Sequence, residues 1–372
     1  MSVPFIDLKA QYKTIKGEVS EAIQRVLDSG QFILGPEVES LEQEIAGYCQ
    51  TKFAVAVASG TDALELSLRS CGVGPGDEVI TPSYSFIAAA EAIVTVGAVP
   101  VFVDIESATY TLDVSAIESK ISTRTKVILP VHLYGHPCAM DPILAVAQRH
   151  SLRIIEDCAQ AIGAMTGGRK VGGIGHIGCL SFYPTKNLGG YGDGGMVVTN
   201  DADIADQIRL LRGHGSRERY QHRMIGRNSR LDELQAAILR VKLRHLDSWN
   251  EARRNRALRY TQQFSKRPIP GLILPQELSG CRHVYHLYTL RTPQREAIQQ
   301  RLAGLGVETQ VAYPQPLTAQ PALSPWIPKN CHWPSSEAIC REVLSVPIYP
   351  ELTAEQVDWV VETFFQALDK AG

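Results

Sequence analysis

Short apolar segments alternate with helical patterns through the first half of the chain. Apolar segments cover residues 53–58, 126–131 and 153–157, and helical patterns cover residues 88–96 and 140–150. Strands that alternate with helices form βαβ units, in which the strands run parallel and helices cover both faces of the sheet. The sequence therefore predicts an α/β fold with a mostly parallel sheet. Ligands of such sheets bind beyond the carboxyl ends of the strands.

The pattern changes towards the C-terminus, where prolines, short strands and short helices follow residue 268. Before that point, the pattern predicts one long helix over residues 231–246, continued as a bridge over 249–264. A chain of 372 residues is long enough for two domains. We expect a large domain with an N-terminal helical segment at residues 1–248. A bridging helix and a smaller C-terminal α+β domain are expected at residues 249–372.

Charge and composition argue against nucleic acid and membrane partners. The net charge of −2 gives no electrostatic basis for binding nucleic acid or an anionic membrane. The N-terminus lacks the pattern of a signal peptide, and no apolar run approaches the roughly 20 residues that span a bilayer. The 8 cysteines form no CxxC pair, so we expect a cytoplasmic protein with reduced thiols and no metal site.

A single lysine, Lys186, lies in the glycine-rich stretch between Ser181 and Thr199. Predicted strands on both sides place this lysine on an irregular turn. A buried amine loses its proton below the reference pKa of about 10.4 and can then form a Schiff base with a carbonyl compound. Pyridoxal phosphate (PLP) is the commonest partner of that kind. A solvated surface lysine is the alternative, which this stretch alone leaves open.

A strand-to-helix junction at residues 59–66 is a candidate phosphate site. Gly60 and Thr61 lie at the predicted helix start, where free N–H groups and the positive end of the helix dipole favour an anion. Ser181 could add a hydroxyl group. An ordinary helix N-cap is the alternative interpretation of this junction.

Two further groups that PLP needs fall at other strand ends. Asp157 ends a predicted strand, and a carboxylate there could keep the pyridine nitrogen protonated. Tyr84 or Phe86 follows another strand and could cover a face of the ring. A helix cap or a core ion pair is the alternative role for Asp157. The convergence of these groups with Lys186 at the carboxyl ends of the strands favours a PLP site.

Several short motifs occur in order along nearly the whole chain. They are Phe5-Ile6-Asp7-Leu8, Gly35-Pro36-Glu37-Val38, Ser59-Gly60-Thr61-Asp62-Ala63-Leu64, the segment 74–82, Glu156-Asp157-Cys158-Ala159-Gln160, and the segments 181–199, 228–237 and 345–350. Their combination resembles the DegT/DnrJ/EryC1/StrS family of PLP-dependent sugar aminotransferases. The resemblance implies the fold type I, or aspartate aminotransferase-like, architecture of PLP-dependent transferases. It also implies a homodimer with active sites shared between subunits.

The resemblance assigns roles to individual residues. Lys186 would form the Schiff base with the cofactor and then serve as the acid/base of the reaction, and Asp157 would face the pyridine nitrogen. Gln160 would bond the ring hydroxyl, and Phe86 would stack on the ring.

The phosphate contacts implied by the resemblance come from two subunits. Gly60, Thr61 and Ser181 would hold the phosphate, helped by Asn228 of the partner subunit. An N-cap for the helix that follows is the alternative role for this asparagine.

The resemblance also implies a substrate class. The family's usual chemistry aminates a keto group of a nucleotide-linked sugar, with L-glutamate as the donor. The glycine run at residues 189–195 resembles members that act at C3 of a dTDP- or UDP-linked sugar. Candidate substrate contacts are Tyr183, Tyr191, Arg219, Tyr220, His222 and Tyr313. A solvated loop is the alternative interpretation of the basic stretch at residues 217–222. Ala312 and Thr318 stand where many relatives have histidine, so sugar recognition is expected to differ.

Three other readings compete with the aminotransferase. A sugar dehydratase of the same fold would carry a histidine in place of Lys186. A nicotinamide enzyme would show a GxGxxG motif after the first strand, and the chain has none there. A regulator that keeps PLP without catalysis is the third, and the intact lysine, aspartate and phosphate loop argue against it.

Overall fold

A seven-stranded sheet forms the centre of the computed structural model, which describes residues 1–218 and 220–369. The helices are α1 Leu8–Ser29, α2 Pro36–Cys49, α3 Gly60–Ser70, α4 Ala88–Thr95, α5 Met140–Arg149, α6 Ala202–Arg212, α7 Glu233–Leu243, α8 Leu246–Lys266, α9 Arg295–Gly304, α10 Pro334–Glu342 and α11 Ala354–Asp369. The strands are β1 Phe53–Val57, β2 Glu78–Pro82, β3 Val99–Val103, β4 Thr125–Ile128, β5 Arg153–Asp157, β6 Met165–Thr166, β7 Arg169–Lys170, β8 Ile177–Ser181, β9 Gly195–Thr199, β10 Ser216–Glu218, β11 Gln221–His222, β12 Cys281–Arg282, β13 Tyr288–Arg291 and β14 Val343–Val346.

The order of strands in the large sheet is β1-β9-β8-β5-β4-β2-β3. All of these strands run in one direction except β9, which pairs antiparallel with both β8 and β1. Most of their residues are buried, as expected for strands covered by helices on both faces. The prediction of an α/β fold with a mostly parallel sheet is confirmed.

The N-terminal helix α1 packs against α7. Asp7 caps α1 by accepting a hydrogen bond from the N–H of Ala10. Ile15, Val19 and Val26 form the buried stripe of the helix and pack with residues of α7. This contact fixes the position of α7, which follows the segment that contains Asn228.

A second hydrophobic core lies in the C-terminal part of the chain. It contains residues of α8, α9, α11, β13 and β14, and the N-terminal residue Val3 also packs into it. The helix α8 crosses the expected boundary at residue 248. The division into domains at 1–248 and 249–372 stays a prediction.

Two helices differ from the sequence expectation. The expected single helix over 231–246 begins only at Glu233, because Asp232 is extended and caps α7 by accepting the N–H of Gln235. The chain then turns at 244–245 before α8 begins. The helix α6 was not predicted, although buried Ile204, Ile208 and Leu211 follow its helical spacing.

None of the helices in the described ranges combines the length and the apolar composition that a membrane crossing requires.

A buried carboxylate joins α2 to α7. Glu233 accepts the N–H groups of Gly35 and Val38 on one oxygen, at 2.8 and 2.9 Å, and the N–H of Glu37 on the other, at 2.8 Å. These donors are the unsatisfied N–H groups at the start of a helix, so the carboxylate acts as a cap supplied by a distant element.

We expect Glu233→Gln to destabilise the protein by about 1–3 kcal/mol, because the amide NH₂ then faces a buried N–H donor. Glu39→Gln is the matched control, since Glu39 is exposed in the first turn of α2 and its loss should cost less than about 0.5 kcal/mol. Urea unfolding followed by circular dichroism measures both variants. Equal stability of the two variants would show that the buried cap contributes little.

Candidate active site

The carboxyl edge of the large sheet borders a cavity of about 540 Å³. Asp157 and Ser181 line this cavity from the ends of β5 and β8, and Thr61 and Phe86 line it from the segments that follow β1 and β2. Lys186 reaches it from the connection between β8 and β9. Side chains that are far apart in the sequence therefore meet where the topology of the sheet predicts a ligand.

The N-terminus of α3 forms one wall of the cavity. Ser59 caps the helix by accepting the N–H of Asp62 at 3.0 Å, which leaves the first backbone N–H groups near Gly60 and Thr61 at the cavity. A Cβ atom on Gly60 would lie 2.7 Å from the Cβ of Ser181, so only glycine fits between the helix and β8. The Ser181 hydroxyl thus stands beside a helix N-terminus, an arrangement suited to an anion.

Asp157 and Lys186 both line the cavity, and each affects the pKa of the other. Burial raises the pKa of the Asp157 carboxyl, and the N–H of Ala159 and the charge of Lys186 oppose that shift. Burial lowers the pKa of Lys186 to about 8, and Asp157 opposes this shift. About half of this lysine is therefore a free amine near pH 8, and the free amine is the form that attacks carbonyl carbons.

A second carboxylate, Glu156, holds the strand end that carries Asp157. It accepts N–H groups from Gly172, Ile174 and Gly175 at 2.6–3.0 Å and a hydrogen bond from His132 Nε2 at 3.0 Å. Because Glu156 and Asp157 are neighbours on a strand, their side chains point to opposite faces.

The cluster around Glu156 resembles a metal site in its spacing. The ligand atoms of His132, Glu156 and Cys158 lie within 4.8 Å of one another. His132 Nδ1, however, accepts the N–H of Cys138 at 2.9 Å, and its Nε2 donates to Glu156. Both nitrogens and both carboxylate oxygens are already used, so the cluster serves as a hydrogen-bonded support behind Asp157.

Gln160 has a fixed orientation at the cavity wall. Its Oε1 accepts the N–H of Tyr134 at 2.8 Å, so its Nε2 is the end that reaches Tyr313 Oη, at 3.0 Å. The ring of Tyr313 lies 5.9 Å from that of Phe86, centroid to centroid. The amide therefore presents a donor on the side where these two rings border the cavity.

The sequence and the fold were compared with known proteins. The model of the DegT/DnrJ/EryC1/StrS aminotransferase family matches residues 13–365. The chain belongs to this family.

Similar proteins include two curated relatives and a solved structure. The "Pleiotropic regulatory protein" of Geobacillus stearothermophilus is 46% identical, over 97% of both chains. The dTDP-3-amino-3,4,6-trideoxy-alpha-D-glucose transaminase of Streptomyces venezuelae is 47% identical, over 97% of this chain and 94% of the relative. The crystal structure of S. venezuelae DesV in complex with a ketimine intermediate superimposes with a TM-score of 0.95, at 46% identity over 98% of both chains. The expected fold type I architecture is confirmed by these neighbours.

Most residues expected for a site of this family line the one cavity. They are Gly60, Thr61, Phe86, Asp157, Gln160, Ser181, Tyr183, Lys186 and Tyr313. Ala312, which replaces a histidine of many family members, also lines it. Thr318 lies beyond it, in a short helical turn over Leu317–Ala319.

Other predicted site residues lie away from the cavity of their own chain. Tyr191 packs edge-on against Tyr12 at 5.9 Å, and the ammonium of Lys242 lies 4.9 Å above its ring. Tyr220 and His222 are exposed on the hairpin of β10 and β11. Arg219, which directly precedes Tyr220, lies outside the described residues.

Asn228 also lies on the surface of its own chain. Its Oδ1 accepts a hydrogen bond from Arg230 Nε at 2.8 Å, and its backbone forms a bridge with Gly213. The alternative role of helix cap belongs to Asp232. An exposed asparagine beside a surface hairpin is available to a second subunit.

Several residues of the cavity wall were not assigned to the site from the sequence. They are Phe5, Ile6, Asp193, His286 and Gln310, among others. The first three lie in motifs that were quoted, so a closer inspection of those motifs could have found them. His286 and Gln310 come from the C-terminal part of the chain, and no local pattern marks them as site residues.

We expect Gly60→Ala to weaken the binding of an anion at the N-terminus of α3 by at least about tenfold, because the new Cβ would displace Ser181 or the helix start. Gly74→Ala is the control, since a Cβ there meets nothing within 4 Å. Equilibrium dialysis with pyridoxal phosphate measures retention by both variants. Unchanged retention in the Gly60 variant would place the phosphate elsewhere.

Proposed function

We propose that this chain is a PLP-dependent transaminase that moves the amino group of L-glutamate to a keto group of a nucleotide-linked sugar. The expected position is C3, and the expected nucleotide is dTDP or UDP, in amino-sugar biosynthesis. The observation that carries the proposal is that Lys186, with a pKa lowered to about 8, shares one cavity with Asp157 and the N-terminus of α3. The name of the S. venezuelae transaminase supports the sugar class and the C3 position.

The residues around α3 fit the phosphate of PLP. A phosphate needs hydrogen-bond donors and space close to the backbone, and the absent side chain of Gly60 provides that space. Thr61 and Ser181 supply hydroxyl groups at the same wall.

The remaining wall fits the ring of the cofactor. Asp157 would face the pyridine nitrogen. The carboxylate is buried and has lost its hydrating water, so the positive charge of a protonated pyridine would stabilise its ionised form. Gln160 Nε2 would donate to the ring hydroxyl, and Phe86 would cover the ring. When bound, PLP supplies an aldehyde for the amine and a ring that withdraws electrons. Lys186 Nζ would take the proton from the α-carbon of glutamate and later return a proton to the sugar.

The charges of the substrates support a shared site in a homodimer. Glutamate and a nucleotide sugar are anions, but among the described residues that line the cavity there is no arginine. The cavity of their own chain is not lined by Arg217, Tyr220 and His222 of the hairpin or by Asn228. Exposed apolar side chains, such as Ile225 at 84% exposure, accompany them. Asn228 of the partner subunit would complete the phosphate site in this arrangement.

Lys186→Ala tests the assignment of the reaction. The unmodified enzyme should absorb visible light with PLP bound and lose that band when glutamate is added. The variant should show no glutamate-dependent loss and at least a thousandfold lower turnover, because the lysine provides both covalent attachment and proton transfer. Lys52→Ala, at an exposed position, is the control and should behave as wild type.

Two results would contradict the assignment in different ways. Substantial turnover by the Lys186 variant would exclude this residue as the Schiff-base lysine. A wild-type enzyme that binds PLP but never responds to glutamate would favour the regulator instead. Identification of the sugar product separates amination from dehydration.

Mixed dimers test the shared site. Lys186→Ala chains are exchanged with Asn228→Ala chains under limiting PLP, so that a heterodimer holds one site with both residues intact. Losing one hydrogen bond to the phosphate costs about 1.5–3 kcal/mol, so Asn228→Ala alone should retain PLP roughly ten- to a hundredfold less well. Activity of the mixture should rise above that of either parent.

The matched control exchanges Lys186→Ala chains with Asp157→Asn chains. These two residues line the same cavity of one chain. No heterodimer then holds an intact site, so activity should not rise. If exchange is demonstrated and the activity of the Asn228 mixture also fails to rise above that of its parents, the shared-site arrangement is wrong.

A further inference from the structure

A buried chain of hydrogen bonds begins beside Lys186. His286 Nδ1 lies 3.1 Å from Asn187 Oδ1, and Asn187 Nδ2 donates to Asn250 Oδ1 at 2.8 Å. The chain ends on two backbone carbonyl groups, since Asn187 Nδ2 also donates to Val284 O and Asn250 Nδ2 donates to Ile162 O, both at 3.1 Å. Carbonyl oxygens can only accept, so every donor and acceptor in the chain is fixed.

The direction of this chain determines the tautomer of His286. Asn187 turns its oxygen towards the ring, so Nδ1 carries the hydrogen and Nε2 carries a lone pair. His286 lines the cavity, and Nε2 has no partner among the residues that the structure describes. Burial holds the pKa of the imidazole well below its usual range, and Lys186, Arg253 and His283 reinforce that shift. The ring is therefore a neutral acceptor that opens on the cavity.

We propose that His286 is a positioning residue for Lys186, and that His286 Nε2 accepts a hydrogen bond from the lysine amine once glutamate has displaced that amine from the bound cofactor. The proposal rests on the proposed function, because it gives the lysine a free state during the reaction. Asn187 follows Lys186 in the sequence, so the same short backbone segment places the lysine and anchors the histidine.

A neutral acceptor suits this role better than a carboxylate. Asp157 already raises the pKa of Lys186 against the effect of burial, and a second negative charge would raise it further and leave less free amine. A neutral imidazole restricts the direction of the amine with a smaller effect on its charge. The lone pair of Lys186 Nζ, which accepts the proton from the substrate, is then held in position while the pKa of the amine changes little.

The first test is the rate at which glutamate bleaches the visible band of the holoenzyme. His286→Leu should slow this half-reaction by about three- to tenfold, the effect of one neutral hydrogen bond. His286→Gln, which can place an amide oxygen near the position of Nε2, should restore the rate to within about twofold of wild type. Glutamate deuterated at the α-carbon should give a larger isotope effect in the Leu variant, because proton transfer becomes the slower step.

A full rate in His286→Leu, or equal defects in the Leu and Gln variants, would overturn the proposal. A defect caused only by loosened packing would slow the reaction without raising the isotope effect, and this result would overturn it as well.

The second test needs no active variant. The ¹⁵N spectrum of histidine-labelled holoenzyme should show one ring whose Nε2 is unprotonated and does not titrate between about pH 6 and 8, and the spectrum of His286→Gln assigns that ring by its absence. After glutamate treatment, the Nε2 signal should shift as the amine is released. A protonated Nε2 would overturn the proposal. An Nε2 signal that does not shift when glutamate bleaches the enzyme would overturn it as well. If glutamate fails to bleach the wild-type enzyme, the proposed function fails, and the tautomer is still read from the untreated sample.

Discussion

The N-terminus of α3 rests against the ends of β8 and β9 with no side chain in between. A Cβ on Gly60 would meet Ser181, and one on Gly195 would lie 2.3 Å from the backbone oxygen of Ser59. The positive end of the helix is therefore brought down to the carboxyl edge of the sheet, within the cavity that Lys186 enters. Glycine is needed at these two positions because the backbones pack closely, and the shape of the cavity depends on that packing.

Strand β5 carries two neighbouring carboxylates with opposite environments. Glu156 is fully enclosed and accepts hydrogen bonds on both oxygens, so it has nothing left to offer a ligand. Asp157 accepts one backbone N–H and otherwise faces the cavity, where burial raises its pKa. The first residue makes the strand end rigid, and the second keeps its binding capacity for a cationic partner.

Local patterns were sufficient for the sheet and for much of the cavity. The strand at residues 153–157 and the junction at Gly60 and Thr61 could be predicted because each motif lies at the end of a short apolar segment. Contacts across long separations could not. His286 reaches the cavity from 100 residues beyond Lys186, and Tyr191 turns from the glycine run towards Tyr12 and Lys242. The role proposed for Asn228 depends on a second chain, and no periodicity within one chain could encode it.

The antiparallel direction of β9 has a consequence for how this active site can be altered. Parallel neighbours must be joined by a crossover that passes over the sheet, whereas β8 and β9 are joined directly at one edge. The thirteen residues between Ser181 and Gly195 connect the two strands at that edge and place Lys186 at the cavity. Hydrogen bonds also tie these residues to distant elements, from Asn187 to Asn250 and Val284, and from the N–H of Tyr191 to Gln235. A laboratory that exchanges this loop between enzymes would therefore have to transfer those partners with it.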